Sequence, residues 1–174
     1  MDGKRGRFEA QVLPHLDAAY RFARWLSRSP GDADDIVQDA VLRAFRAFEA
    51  LRGSDAKAWL LTIVRNCRYD HLRQKGASGQ STDFDEAVHS AGQQTPNPET
   101  ALLLAERTEV VTKSLAELPA EYREVLVLRE LEQMSYREIA NIAGIPLGTV
   151  MSRLSRARQQ LRQTLFDCME PTGN

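Results

Sequence analysis

"SYREIANIAGIPLGTVMSRLSRARQQL", residues 135–161, carries the pattern from which the fold follows. Ser135 with Glu138 three residues on is a capping box, in which the hydroxyl and the carboxylate each satisfy a backbone N–H; the spacing predicts a helix from Tyr136. Gly144 suits the left-handed turn that ends such a helix, and Pro146 suits the first turn of the next. Two short helices joined by a three-residue turn make a helix-turn-helix. At about 100° per residue, Val150, Leu154, Ala157 and Leu161 fall together and face a core. Opposite them lie Ser152, Ser155, Arg156 and Gln159, with Thr149, Arg153, Arg158 and Arg162 at the flanks. Short hydroxyls, an amide and one central arginine suit base edges in a major groove, and flanking arginines suit phosphates. Arg153 stands at the edge of the buried side, where pairing with an acid of the preceding helices is the alternative.

The surrounding chain sets the context of that helix. It has 174 residues, 43% hydrophobic and 27% charged, the make-up of one ordinary or two small globular domains, long enough to bury a core in one piece or divided. The start, "MDGKRGRFEA", has basic residues with no apolar run behind them, and nowhere do about 18 apolar residues follow one another. A cytoplasmic protein with no membrane contact of its own is expected. Cys67 and Cys168 form neither a C-x-x-C nor a zinc pattern, and Cys67 with His71 supplies too few ligands for a site, so neither a metal nor a cofactor is expected. The formal net charge of −1 hides a pattern. Arg52, Lys57, Arg65, Arg68, Arg73 and Lys75 outnumber Asp55 and Asp70; residues 76–106 carry acids and no Lys or Arg; Arg153, Arg156, Arg158 and Arg162 follow without an acid among them. Two basic patches flanking an acidic strip suggest a polyanion bound at two separated places.

"GASGQSTDFDEAVHSAGQQTPNP", residues 76–98, is rich in Gly, Ser, Gln, Thr and Pro without apolar periodicity and reads as a linker. Both sides read as helix. "DADDIVQDAVLRAFRAF" carries Ile36, Val37, Ala40, Val41, Ala44, Phe45 and Phe48 as one apolar stripe and opens with acids that suit the positive end of a helix dipole. "DAKAWLLTIVRNCRYDHLRQ" has Trp59, Leu60, Ile63, Val64 and Cys67 on an apolar side, with Trp59 expected in the core rather than as a stacking platform for bases. "ETALLLAERTEVVTKSLAEL" and "PAEYREVLVLREL" are two further helices, with Pro119 placed for a first turn. The fold class is all-α: two small helical domains, 1–75 and 99–174, joined by a flexible acidic linker, 76–98, with the helix-turn-helix in the second domain.

"LPAEYREVLVLRELEQMSYREIANIAGIPLGTVMSRLSRARQQL" resembles the C-terminal promoter-binding domain of bacterial extracytoplasmic-function (group 4) sigma factors of the sigma-70 family. "DADDIVQDAVLRAF" followed by "AWLLTIVRNCRYDHLRQ" resembles their N-terminal domain, so the likeness runs from about residue 10 to residue 166. It implies a dissociable initiation subunit that binds core RNA polymerase, through the β′ clamp helices and the β subunit, together with promoter DNA. Asp35, Gln38, Asp39 and Arg43 would lie at the clamp-helix contact. The loop "ALRGSDAK", residues 50–57, lies where the family holds a flipped base of the −10 element, which would place Arg52, Ser54 and Lys57 there. Asn66 matches an asparagine near that pocket, and Arg65, Arg68, Arg73 and Lys75 would line the strand's path. Thr149, Ser152, Arg153, Ser155, Arg156 and Gln159 would contact the −35 element. The linker would thread toward the polymerase interior. The resemblance also implies an anti-sigma factor that clasps both domains and receives the signal outside this chain. Met151 and Ser155 depart from the family pattern on the DNA side, which leaves the −35 sequence open.

No phosphate-cradling glycine loop, metal-ligand cluster or nucleophile–base set is evident, so no enzymatic chemistry is expected. Two other readings of a helix-turn-helix remain. A dimeric regulator would bind a palindromic operator without polymerase and leaves the basic N-terminal part unexplained. A recombinase would need a catalytic Ser or Tyr with an arginine cluster in a mixed α/β domain.

Overall fold

The computed structural model describes residues 2–27, 29–53, 55–78 and 97–170, and among these there are helices and turns but no strand. In chain order the α-helices are α1 (Asp2–Gln11), α2 (Leu16–Leu26), α3 (Pro30–Ala47), α4 (Ala56–Ser78), α5 (Pro98–Glu117), α6 (Ala120–Leu126), α7 (Tyr136–Ala143) and α8 (Leu147–Met169). Short 3-10 turns follow α1 and α3, and α6 runs into a wide π turn at Val127–Leu131.

Local chemistry accounts for most of the boundaries. α3 starts where the Ser29 side chain accepts from the Asp32 N–H at 3.2 Å, with Pro30 in the first turn, two residues before the acids that mark it in the sequence. The Asp55 carboxylate accepts from the Ala58 N–H at 3.0 Å at the head of α4. Asn97 caps α5 by accepting from the Glu99 N–H at 3.1 Å. At α7 both halves of the capping box form: Ser135 Oγ accepts from the Glu138 N–H at 3.1 Å, and the Glu138 carboxylate accepts from the Ser135 N–H at 2.7 Å. Gly144 ends α7 at φ 65°, ψ 37°, the left-handed conformation expected of it. Pro119 and Pro146 each stand one residue outside the helix they precede, where they end the extended approach.

α2, α3 and α4 pack together as the N-terminal half, with α1 laid over it. Phe8 meets Phe45 and Phe48 edge-to-face at 5.2 and 5.5 Å. Phe45, a member of the apolar stripe, therefore sits at its margin and stays 38% exposed. Phe22, Ile36, Leu60 and Leu61 are fully buried, and Trp59 packs against the core as its spacing predicts. In the C-terminal half α6, α7 and the first turns of α8 enclose Leu128, Ile139, Ile142, Val150, Leu154 and Ala157.

The core is not divided. α4 packs on α7 and α2 on α6, so the buried residues of both halves form one continuous cluster. The sequence pattern of each half shows only its own apolar stripe; neither the apolar contact across the halves nor the ion pairs beside it can be read from a periodicity. α4 runs through Ser78, three residues into the stretch read as linker, and most of the rest of that linker lies outside the described residues.

Cys67 is buried in α4, and burial first, then the nearby Asp39 carboxylate, pushes its thiol up to about 12; Cys168 is exposed near the end of α8. A thiol reagent at about pH 8 is expected to modify one cysteine rapidly and the other only after denaturation, counted by mass spectrometry. Equal rates at both would contradict the packing of α4 described above.

Candidate nucleic-acid interface

The second helix of the helix-turn-helix, α8, presents the face that its sequence predicts. Val150, Leu154 and Ala157 are buried, Leu161 packs at their edge, and Ser152, Ser155, Arg156 and Gln159 are exposed. Ser155, Arg156 and Gln159 make no hydrogen bond within the described chain, so their polar atoms face water and are available to a ligand. Ser152 Oγ donates to the Thr149 carbonyl at 3.1 Å, which keeps its lone pairs outward. Thr149 is half-buried at the first turn. Arg153 takes the alternative left open for it: it is half-buried, 4.0 Å from the Glu121 carboxylate. Arg158 donates to Glu130 at 2.9 Å, while Arg162 is exposed. Met151, 53% exposed, lies on the same side as Ser155.

A second surface lies on α3. Asp35 and Gln38 are exposed, Asp39 and Arg43 half-buried. Arg43 reaches Asp39 at 2.9 Å on its own helix and Asp70 of α4 at 2.6 Å. The hydrogen bond from Arg43 is the first cause of an Asp70 carboxyl held below its ordinary value. Arg43 thus braces α3 against α4 as well as lining the surface. Leu42, 56% exposed, projects between Asp35, Gln38 and Asp39, an apolar centre in a polar ring. It escapes a periodicity reading because it lies off the core stripe; an apolar residue inside the polar arc was the available signal.

The third surface joins the loop before α4 to that helix. Arg52 is exposed beside Gly53, whose φ of 84° bends the loop, and Asn66 is exposed on α4; Ser54 lies outside the described residues. Arg73 is exposed, 3.7 Å from Asp70, and Lys75 pairs with Asp32. Arg68 is buried: its Nε donates to the Leu26 carbonyl and its guanidinium lies over Tyr69, so it holds α4 to the end of α2. Arg65 and Lys57 point to the other half of the molecule. Arg65 Nε donates to Glu124 of α6, and Lys57 Nζ reaches the Glu132 carboxylate at 3.3 Å and its carbonyl at 2.8 Å. Glu132 also accepts two hydrogen bonds from Arg21 of α2, at 2.9 and 3.2 Å. The site residues of the sequence are thus divided between two open surfaces and one that is largely engaged.

Comparison with known families agrees with this geometry. Residues 12–78 match the model of sigma-70 region 2 and residues 108–161 that of sigma-70 region 4. Among curated relatives, the ECF RNA polymerase sigma-E factor of Escherichia coli K12 is 38% identical over 138 residues, covering 75% of this chain and 72% of the relative. The ECF sigma factor SigE of Mycolicibacterium smegmatis is 34% identical over 154 residues, covering 88% of this chain and 60% of that protein. Among solved structures, the sigma factor RpoE of Bartonella quintana, in complex with the anti-sigma factor NepR, superposes with a TM-score of 0.77 at 32% identity, covering 91% of this chain and 96% of that one. CnrH, in complex with the cytosolic domain of CnrY, superposes with a TM-score of 0.59 at 26% identity, covering 95% and 88%. A region 2 followed by a region 4 defines the sigma-70 class of transcription initiation factors. Within that class the chain belongs to the extracytoplasmic-function family, and it is an alternative sigma factor.

Glu124 is 2% exposed, and burial raises its carboxyl above the ordinary 4.5 while Arg65 pulls it down. A carboxyl raised in the native state contributes most stability in acid, and the contribution is lost as pH rises through the raised value. Removing Arg65 steepens that loss. Arg65→Ala is expected to cost up to about 3 kcal/mol near neutral pH and clearly less near pH 5, measured by urea unfolding at both. A deficit independent of pH would mean that the Glu124 carboxylate is hydrated.

Proposed function

We propose that this sigma factor divides promoter recognition between its two halves: α8 reads the −35 element, the loop before α4 and the exposed side of α4 read and hold the melted −10 strand, and α3 binds core RNA polymerase. The observation that supports this most is the α8 face, where Ser155, Arg156 and Gln159 are exposed and unbonded on a helix whose opposite side is fully packed. Arg156 sits at its centre, and a bidentate contact to a guanine contributes about 1–3 kcal/mol of discrimination. Ser152, Ser155 and Gln159 complete the base-facing set with Thr149 at its head. Arg153, tied toward Glu121, would approach phosphate at the rim.

On α3, Asp35, Gln38 and Asp39 around exposed Leu42 form a compact surface of the kind that protein partners bury: an apolar centre within a polar rim. Its partner is the clamp helices of the polymerase β′ subunit. On the C-terminal half, an apolar groove of about 590 Å³ between α5, the π turn and the end of α8 is lined by Val111, Leu126, Leu131, Leu165, Phe166 and Met169. That groove is a second protein-docking surface, for the polymerase β subunit or an anti-sigma factor of the kind seen with the RpoE and CnrH structures. The chain itself carries out no chemistry, which belongs to the polymerase, and works in the cytoplasm. No helix of the described residues is long and apolar enough to cross a membrane.

Transcription from fragmented genomic DNA by core polymerase, with and without this protein, tests the division of labour when 5′ ends are mapped. New starts sharing two spaced upstream motifs are expected. Arg156→Ala should lower initiation at −35-dependent promoters about 5- to 100-fold without weakening polymerase binding. Charge reversal at Asp35 and Asp39, or Leu42→Asp, should weaken polymerase binding at every promoter. Specific binding to duplex DNA without polymerase, and no new starts, would favour the dimeric regulator instead.

A further inference from the structure

The large exposed apolar side chains of α8 fall into two sets. Phe166 and Met169, at its tail, line the apolar groove described above. Leu147 and Met151, at its head, are 42% and 53% exposed, one turn apart on one flank of the helix, and belong neither to that groove nor to the core that Val150, Leu154 and Ala157 fill. Met151 is therefore an apolar side chain held out to solvent beside hydroxyls, an amide and arginines. Ser155, one turn farther along the same flank, is short, and a hollow of about 360 Å³ opens there between Met151, Ser155, Arg158, Gln159 and Arg162. A Cβ at Gly148, one turn before Ser152, would meet nothing within 4 Å. The fold leaves that position free for a side chain, and the bare backbone clears the head of α8 for close approach from outside.

Helix geometry sets what Met151 can reach. It lies about 100° round the helix from Ser152 and about 140° from Arg156, so it stands at one margin of the exposed half while Arg156 stands toward the other. It is also about 7 Å nearer the start of α8 than Arg156, about two base-pair steps. The first turns of the second helix of a helix-turn-helix are those that meet base edges. Methionine brings no N–H or O–H donor there and only a weakly accepting thioether. Pressed against the amino group of cytosine or the acceptors of guanine, it would strip their water without replacing it. The one apolar group that the major groove displays is the C5-methyl of thymine. An unbranched, polarizable side chain with three rotatable bonds is suited to close over such a group.

We propose that Met151 is a specificity-determining residue that reads a thymine: its side chain covers the C5-methyl of one thymine in the −35 element, at a base pair other than that of Arg156, and the short Ser155 leaves room in the hollow for the base edge. The proposal rests on the assignment of α8 to the −35 element. It adds to that assignment a discrimination made by apolar contact alone, against cytosine and guanine, at a position where no hydrogen-bonding side chain is available.

The test uses holoenzyme assembled from the full chain and core polymerase, on a promoter taken from the mapped starts. Each thymine of the upstream element, on either strand, is replaced in turn by deoxyuridine, which removes the C5-methyl and keeps every hydrogen-bonding group. Synthetic duplexes carry no 5-methylcytosine, so thymine is the only source of the methyl. Binding is read by competition between the substituted and the parent duplex. Losing the burial of one methyl group corresponds to about fourfold weaker binding, expected at one position for the wild-type chain. Met151→Ala is expected to bind the thymine and uracil duplexes alike at that position, and Met151→Leu to keep most of the difference. Met151 is exposed and outside the core, so both variants keep the fold, which circular dichroism verifies. 5-Bromouracil, whose bromine fills the place of the methyl, should restore wild-type binding. Uracil tolerated at every position overturns the proposal, and so does an upstream element without thymine. An equal loss in the wild type and in Met151→Ala overturns it too, since the effect then belongs to DNA shape or to another side chain. Scrambling the whole upstream element separates this proposal from the assignment beneath it: if scrambling weakens binding while uracil does not, the −35 assignment stands and only the thymine contact falls; if scrambling has no effect, both fall.

Discussion

Glu132 carries a carboxylate with no exposure to solvent, and the placement of region 2 against region 4 follows from the need to neutralise it. Two cations of the other half pair with it. Arg21 comes from α2 and Lys57 from the head of α4, so the one carboxylate fixes two helices of the N-terminal half relative to the π turn of the C-terminal half. Arg65 with Glu124, and Arg123 with the Trp25 carbonyl, extend that contact along α4 and α2. These ion pairs stand beside the apolar cluster that runs through both halves, and separation would restore hydration to each charged group, which offsets part of what the pairs contribute.

Much of the fold was legible because it is local. The capping box at Ser135 and Glu138, the left-handed Gly144 and the apolar spacing of Val150, Leu154 and Ala157 each depend on neighbours within a few residues, and each appears in the structure where the pattern puts it. The exposed polar side of α8 was legible for the same reason, since a helix with one packed side must expose the other. What could not be read is what depends on contacts distant in sequence. Glu124 and Glu132 look in the sequence like ordinary solvated acids of a charged segment, and nothing in their neighbourhood marks them as buried. Arg65, Lys57 and Arg68 look like a row of exposed bases, whereas two are engaged by residues 59 and 75 positions away and the third is buried against Leu26. Charge alternation along the chain gives sign and density, not partner.

The N-terminal segment offers a milder case. α1, the turn after it and α2 carry Phe8, Val12, Phe22 and Leu26 into the core, yet α1 has little apolar periodicity of its own. Its place depends on the exposed edge of Phe45 and on Phe48, which give Phe8 somewhere to pack. Lys4 lies over the Phe45 ring at 5.0 Å, so even the polar side of α1 is fitted to that aromatic margin.

α8 is a single helix of 23 residues, about 35 Å from end to end. Its first turns carry Ser152, Ser155 and Arg156, and its last turns carry Leu165, Phe166 and Met169 on the wall of the apolar groove. One helix without a break makes these two ends mechanically one object. Tilting it by about 10° at the groove displaces the opposite tip by about 6 Å, more than the spacing between adjacent base pairs. An occupant of the groove would therefore act as the fulcrum of a lever whose other arm is the face proposed for DNA, and on that reading the pitch of the helix against its ligand becomes a quantity that a protein partner can set from a distance.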